Sequence, residues 1–145
     1  MSDKPACPVP TQLRLESRME DLALVHPWVE ALAEYHAIPP PTVFAINLCL
    51  EEALANVVRH GYKDTAGSAM TVAFETHGER ELSFVVEDSA PHFDPTVAPM
   101  ETPAVPLEEM KIGGNGILLM RKFAGSVKWE PLEHGNRLRI GFVLP

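Results

Sequence analysis

The sequence predicts an α+β domain, a two-layer sandwich with helices on one face of a mixed, mostly antiparallel sheet. Three observations carry this. Segments with strand-like and helix-like patterning follow the order β, α, α, β, β, long loop, α, β, β, which is not the strict alternation of a parallel fold. Two pairs of β-rich runs each enclose a turn of four residues, 77–80 and 133–136, as hairpins do. The 145 residues are 46% apolar, enough for a single sizeable core.

Residues 1–10, with Pro5, Pro8 and Pro10, read as a flexible leader, and residues 11–145 as one domain. Gln12 to Glu16 alternate as a short strand. From Glu20 to Ala37 the residues Leu24, Trp28, Ala31 and Tyr35 keep helical spacing, with Pro27 either kinking the helix or restarting it at its first position. Pro39, Pro40 and Pro41 interrupt the chain, and Thr42 is available to cap a second helix. That helix runs to about His60, where Gly61 offers a left-handed stop. Lys63 to Gly67 form a turn. Met70 to Thr76 and Glu81 to Glu87 form the first hairpin. Ser89 to Gly114 holds five prolines and no sustained period, so it reads as a long loop of the kind that serves as a lid. Gly116 to Phe123 restores a helix, and Ser126 to Glu130 with Arg137 to Leu144 closes the domain as a second hairpin.

Charge and cysteine usage exclude several function classes. A net charge of −8 with only 12 basic residues, none in a dense run, argues against nucleic acid or an anionic membrane as partner and favours a basic protein surface. No run of about 18 apolar residues is evident and the first residues lack the apolar core of a secretion signal, so the expected setting is cytoplasmic. Cys7 and Cys49 have no CxxC spacing and support neither a disulfide framework nor a zinc site. Cys49 reads as a small buried hydrophobe.

Three constellations bear chemistry. On a helical wheel at about 100° per residue, Asn56 lies about 40° from Glu52, beside a core-facing stripe of Ile46, Leu50, Ala53 and Val57. The pair combines a proton acceptor with a neutral oxygen ligand, although the residues alone also permit a solvated helix face. Asparagine within a helix is a poor helix former, which favours a functional reason for it. Next, the apolar strand Val85-Val86 ends in Glu87-Asp88-Ser89-Ala90-Pro91-His92-Phe93-Asp94-Pro95. Asp88 there can accept a hydrogen bond from an exocyclic amine such as that of adenine, with Phe93 as an apolar wall; ordinary turn chemistry explains the same residues. Third, Gly113-Gly114-Asn115-Gly116-Ile117 opens a helix, where backbone N–H groups can approach an anion. This is neither a Walker A nor a GxGxxG motif.

Taken together, the order and spacing of these three resemble the N box and two glycine boxes of the GHKL, or Bergerat-fold, ATPase superfamily, which includes gyrase, heat-shock chaperone ATPases, histidine kinases and MutL. Within it the likeness is to the RsbW/SpoIIAB-type anti-sigma serine kinases of bacterial partner switching. It runs from about Gln12 to Leu144 and is most specific at Glu52-Ala53-x-x-Asn56-x-x-x-His60-Gly61-Tyr62. The resemblance implies that Glu52 is the catalytic base, that Asn56 holds Mg²⁺, and that Asp88 receives the adenine of ATP beside Ala90 and Phe93. It places Gly113, Gly114, Asn115, Gly116 and Ile117 at the phosphates, with an ATP lid at about 89–113. The chain departs from the pattern where Ala90 replaces a glycine, so that a methyl group would crowd the adenine or demand a different turn. It departs again at Leu118 and at Asn136-Arg137, which stand for a third glycine and a base-touching threonine pair. The implied function is an ATP-dependent serine-protein kinase and anti-sigma-type regulator. Its partners would be a STAS-domain anti-sigma-factor antagonist and a sigma factor or other regulatory output, with a homodimer possible. The alternative is a catalytically weak, nucleotide-dependent module that sequesters a regulatory partner.

Overall fold

A computed structural model describes residue 7 and residues 9–63, 67–97 and 116–145. Strand β1 spans Gln12–Glu16, a 3₁₀ turn spans Met19–Leu24, and helix α1 spans Val25–His36. Helix α2 spans Pro40–Asn56 and continues as a π-helical turn, Val57–Gly61. Hairpin β2–β3 follows, Ala69–His77 and Glu81–Asp88, then α3, Gly116–Phe123, and the hairpin β4–β5, Ser126–Leu132 and Gly135–Val143. The sheet order is β1-β2-β3-β5-β4 and all four pairings are antiparallel. The chain therefore has the α+β architecture expected, and each hairpin lies where alternation placed it. Most of the leader (1–6 and 8), residues 64–66 and the stretch 98–115, which contains Gly113, Gly114, Asn115 and most of the proposed lid, lie outside the described residues.

The helices cover one face of the sheet. Helix α2 lies centrally, packing on α1, α3, β3 and β5. Its predicted stripe, Ile46, Leu50, Ala53 and Val57, is buried, but so are Cys49, Leu54 and Ala55 on other sides, because neighbouring helices cover what the sheet does not. Phe84 of β3 is fully buried and meets Trp28 at 5.8 Å, Phe74 at 5.2 Å and Phe142 at 6.2 Å between ring centroids, which ties α1 to three strands. The segment Pro40–Gly61 is long and apolar enough to cross a membrane by length and composition, but it carries Glu51 and Glu52, forms the core helix, and two-thirds of its most apolar window is buried in the fold.

Several local expectations are corrected. The 3₁₀ turn shifts the phase of the first helix, so its buried stripe is Val25, Trp28, Val29, Leu32 and Ala33, while Leu24 is 51% exposed. Pro27 sits in the first turn of α1, where its missing N–H would have no helical partner anyway. Thr42 does not cap α2. Pro39 precedes the helix and Pro40 and Pro41 fill its first positions, which places the Thr42 N–H on the Pro39 carbonyl at 3.0 Å. Nor is Gly61 a left-handed stop. The π-turn closes when the Tyr62 N–H donates to Val57 O at 2.8 Å, and the positive φ falls on Lys63 at 51°. Gly61 is small for another reason, described below.

On the uncovered face, Arg137 donates to Glu87 at 2.6 Å and to Glu130 at 3.0 Å, across three neighbouring strands, and Arg139 bonds Glu75. These half-exposed pairs add little stability each. Their aliphatic stems still shield the sheet, and Val85 between them is buried.

The β4–β5 turn sets the approach of two strands. Gly135 has φ of +149°, and a Cβ there would lie 1.8 Å from the carbonyl oxygen of Asp88. Replacing Gly135 by Ala should cost roughly 3 kcal/mol or more and lower the melting temperature by on the order of 10 °C, measured by thermal and urea unfolding.

Candidate functional site

The C-terminal end of α2, the end of β3 and the β4–β5 hairpin meet at one place. Ala53 and Val57 reach this place, and Glu52 and Asn56, each one residue before them on successive turns, are buried, at 0% and 8% exposure, rather than forming a solvated ridge. A carboxylate in such a position is costly to desolvate. Glu52 also acts on its neighbour: burial first, and then the Glu52 charge, push the Cys49 thiol up to about 12, leaving it protonated and inert. The π-turn follows Asn56 directly and leaves Arg59 half-buried and His60 exposed. Insertions of this kind are frequent at functional sites.

Asp88, the last residue of β3, is buried at the mouth of a small cavity. Its Oδ1 accepts the Ala90 N–H at 2.9 Å and the Asn136 Nδ2–H at 2.9 Å. Oδ2 has no hydrogen-bond partner among the described residues and is free to accept one from a ligand. Burial raises the Asp88 pKa above the ordinary carboxylate value, and the two hydrogen bonds offset that only in part. The cavity walls are apolar: Ala53 and Val57 from α2, Val86 from β3, Leu138 from β5, Trp129 from β4, and Phe93 with Pro95 from the segment after β3. An apolar slot with one carboxylate oxygen at its edge is matched to a flat heteroaromatic ring bearing an amino group.

Asn136 organises this slot. Its Nδ2 donates to Asp88 and to the carbonyls of Pro91 at 3.1 Å and Ala90 at 3.3 Å. Its Oδ1 accepts from the Phe93 N–H at 3.0 Å and from Trp129 Nε1–H at 3.1 Å. Tyr62 holds the same segment from the other side, accepting the Ser89 N–H at 2.7 Å and donating to Ala69 O at 2.9 Å; its pKa is raised by burial. Farther along, Arg121 of α3 donates to Thr96 O at 2.7 Å.

The structure thus brings Asp88, Phe93 and the Ala53–Val57 face of α2 together. Ala90 is buried but does not line the cavity; its methyl faces Gly61, where a Cβ would approach it to 3.0 Å and the Phe93 ring to 2.8 Å. Gly61 is therefore required by close approach. Gly116 and Ile117 lie in the first turn of α3, with Ile117 buried in the core, while Gly113, Gly114 and Asn115 are not described. Arg137, noted as a departure near the base, points to the opposite face of β5 from Asn136, as strand alternation demands. Trp129 was not anticipated. The hairpin register that pairs it with Leu138 was the signal available, since alternation from the buried Leu138 and Ile140 turns Trp129 inward.

Fold and site define a nucleotide-binding ATPase domain. The profile of the histidine kinase-like ATPase domain matches residues 15–142, and the chain belongs to that family. It is 28% identical over 113 residues to the serine/threonine-protein kinase BtrW of Bordetella bronchiseptica, covering 78% of this chain and 79% of that protein. The serine-protein kinase RsbW of Oceanobacillus iheyensis is 21% identical over 121 residues, covering 81% and 76% of the two chains. Among solved structures, the histidine kinase domain of the blue-light activated histidine kinase EL346 from Erythrobacter litoralis superposes with a TM-score of 0.51 at 16% identity. That match covers 99% of this chain but 65% of the other, and it speaks for the fold.

The raised pKa of Asp88 has a consequence for stability. A carboxyl whose folded pKa lies above its unfolded value binds its proton more readily in the folded chain, so this residue opposes folding above the folded pKa and the penalty fades as pH falls through it. Asp88→Asn keeps the Oδ1 acceptor for Ala90 and Asn136 and removes the charge. It should raise the melting temperature at pH 7, with the gain shrinking on acidification, while ATP binding falls about tenfold or more in isothermal titration.

Proposed function

We propose that this chain is an ATP-dependent serine-protein kinase of the partner-switching kind, acting on a serine of a STAS-domain antagonist that competes with a sigma factor or other output for the same protein. The observation that carries the reading is the fully buried Glu52 carboxylate one helical turn from Asn56, on the stretch of helix whose Ala53 and Val57 line the slot of Asp88. The names of BtrW and RsbW as serine kinases support it. A cytoplasmic setting goes with this reading.

In this mechanism the Asp88 Oδ2 receives the adenine amine, and Val57, Val86 and Leu138 enclose the ring. Glu52 orients the acceptor serine hydroxyl and takes its proton. Most of the acceleration then comes from positioning, as in phosphoryl transfer generally. Asn56 would hold Mg²⁺ through its neutral side-chain oxygen, a hard donor of the kind this ion takes. When bound, the metal neutralises charge on the triphosphate. The glycines from Gly113 to Gly116 are assigned to the phosphates through backbone N–H groups.

One feature favours the second reading, a nucleotide-dependent binding module without transfer. The slot beside Asp88 is only about 10 Å³ in this conformation. A module would use ATP to order the segment after β3 and expose a docking surface.

Transfer of label from γ-labelled ATP to a STAS-domain antagonist separates the two readings. Glu52→Gln, similar in volume, should lower transfer by about 10²–10⁴-fold with ATP affinity within roughly threefold of the parent. ATP binding with no transfer by the parent would establish the module instead. Asn56→Ala should weaken Mg-dependent ATP binding by roughly tenfold or more while leaving binding of Mg-free nucleotide nearly unchanged, read by titration with and without chelator.

A further inference from the structure

The slot beside Asp88 has room for about one water molecule, and adenine is many times larger. A ring can enter only if a wall gives way. Val86 and Leu138 belong to the paired strands β3 and β5, and Ala53 and Val57 belong to the core helix. Trp129 is fixed twice, by the pairing of its strand with Leu138 and by the bond from its indole N–H to Asn136 Oδ1. Phe93 and Pro95 are different, since they lie in neither helix nor strand. Phe93 is half-buried, and its backbone is held to the hairpin by the N–H bond to the same Asn136 oxygen.

We propose that Trp129 and Asn136 form the fixed half of the base site and that Phe93 with Pro95 is its door, occupying in this conformation the space the purine takes. This rests on the nucleotide reading above and adds two positioning residues and an entry route to it. The segment is pinned on both sides of the door. Asn136 Nδ2 holds Ala90 O and Pro91 O before it, and Arg121 holds Thr96 O after it. Moving the Phe93 backbone outward with its ring breaks the one bond from its N–H to Asn136 Oδ1 and leaves the Asp88 turn in place.

That broken bond also determines which base fits. Asn136 cannot flip its amide, because both N–H groups and both lone pairs are committed in the orientation that serves Asp88 on one side and Trp129 on the other. When the Phe93 N–H leaves, Asn136 Oδ1 regains a lone pair, and with Asp88 Oδ2 it presents two acceptors to the open slot. An exocyclic amine brings two N–H donors and satisfies both. A 6-oxopurine brings an oxygen to the same place, leaving buried acceptors facing one another, so the site discriminates against it.

Titration calorimetry with ATP and GTP, together with tryptophan emission, tests this on the full chain. Removing the door by Phe93→Ala should tighten ATP binding several-fold, because the competent state is no longer a minor one. If Phe93 were merely a wall of the site, the same change would weaken binding, and that result overturns the proposal. Asn136→Ala should lower the ATP-over-GTP affinity ratio about tenfold; an equal loss for both nucleotides would mark a purely structural residue and overturn its assigned role. ATP should change the tryptophan emission of the parent but not of Trp129→Phe, which retains Trp28 in the core. Because Trp129→Phe keeps an aromatic wall, it separates a reporting role from loss of fold. Uptake of ATP by the parent with an unchanged Trp129 signal removes this proposal and leaves the nucleotide reading standing, whereas no uptake at all removes both.

Discussion

Enclosure of α2 is the constraint from which the rest of the molecule follows. A sheet covers one side of a helix, and a two-layer domain ordinarily leaves the other side to water. Here α1 and α3 take that side as well, so that from Ala45 to Val58 nearly every residue is buried, including Asn47, Glu52 and Asn56. Three polar residues in such a helix cannot be explained by solvent exposure. Two of them, Glu52 and Asn56, lie one turn apart on the part of the helix that leads to the Asp88 slot, with Ala53 and Val57 between and after them forming its wall. Packing and chemistry therefore share the same stretch of chain.

The second dependency is the carboxamide of Asn136. Buried polar groups are stable when every donor and acceptor is matched, and this side chain matches five groups from β3, β4 and the segment that follows β3. It can do so only because the residue before it lacks a Cβ, letting the β5 backbone touch Asp88. Gly61 plays the matching part on the helical side, admitting Ala90 and Phe93 against the π-turn. Two close approaches of backbone thus place one carboxylate, and the apolar walls around it come from the same elements that build the core.

What was legible in the sequence follows the range of the forces involved. Alternation over five to nine residues located β1, both hairpins and their turns, because strand pairing repeats a local period. Helical spacing located α2 and its sheet-facing stripe, but not the burial of its remaining sides, which depends on α1 and α3 being folded across it. The stripe of α1 was misread because a 3₁₀ turn advances the chain by a different angle per residue, and nothing in Glu20 to Leu24 announces one. Thr42 lost the capping role to prolines that occupy the start of the helix equally well. Asp88 stood out as a strand-terminal acid, yet its partner Asn136 lies 48 residues away, and side-chain amides leave no periodic trace.

The same distinction explains why the site divides into two halves of different character. The Glu52–Asn56 half rests on consecutive turns of one helix, so spacing alone suffices to assemble it, and the sequence motif is correspondingly dense. The Asp88 half is assembled from a helix, three strands and an irregular segment, and no short motif can encode that convergence. The halves meet where Val57 begins the π-turn and Gly61 ends it against Ala90 and Phe93. Phe93 thus packs against the far end of the turn that follows Asn56. Packed interiors switch between discrete arrangements rather than deform continuously. The π-turn is the place where the packing of the Asp88 slot meets the end of helix α2.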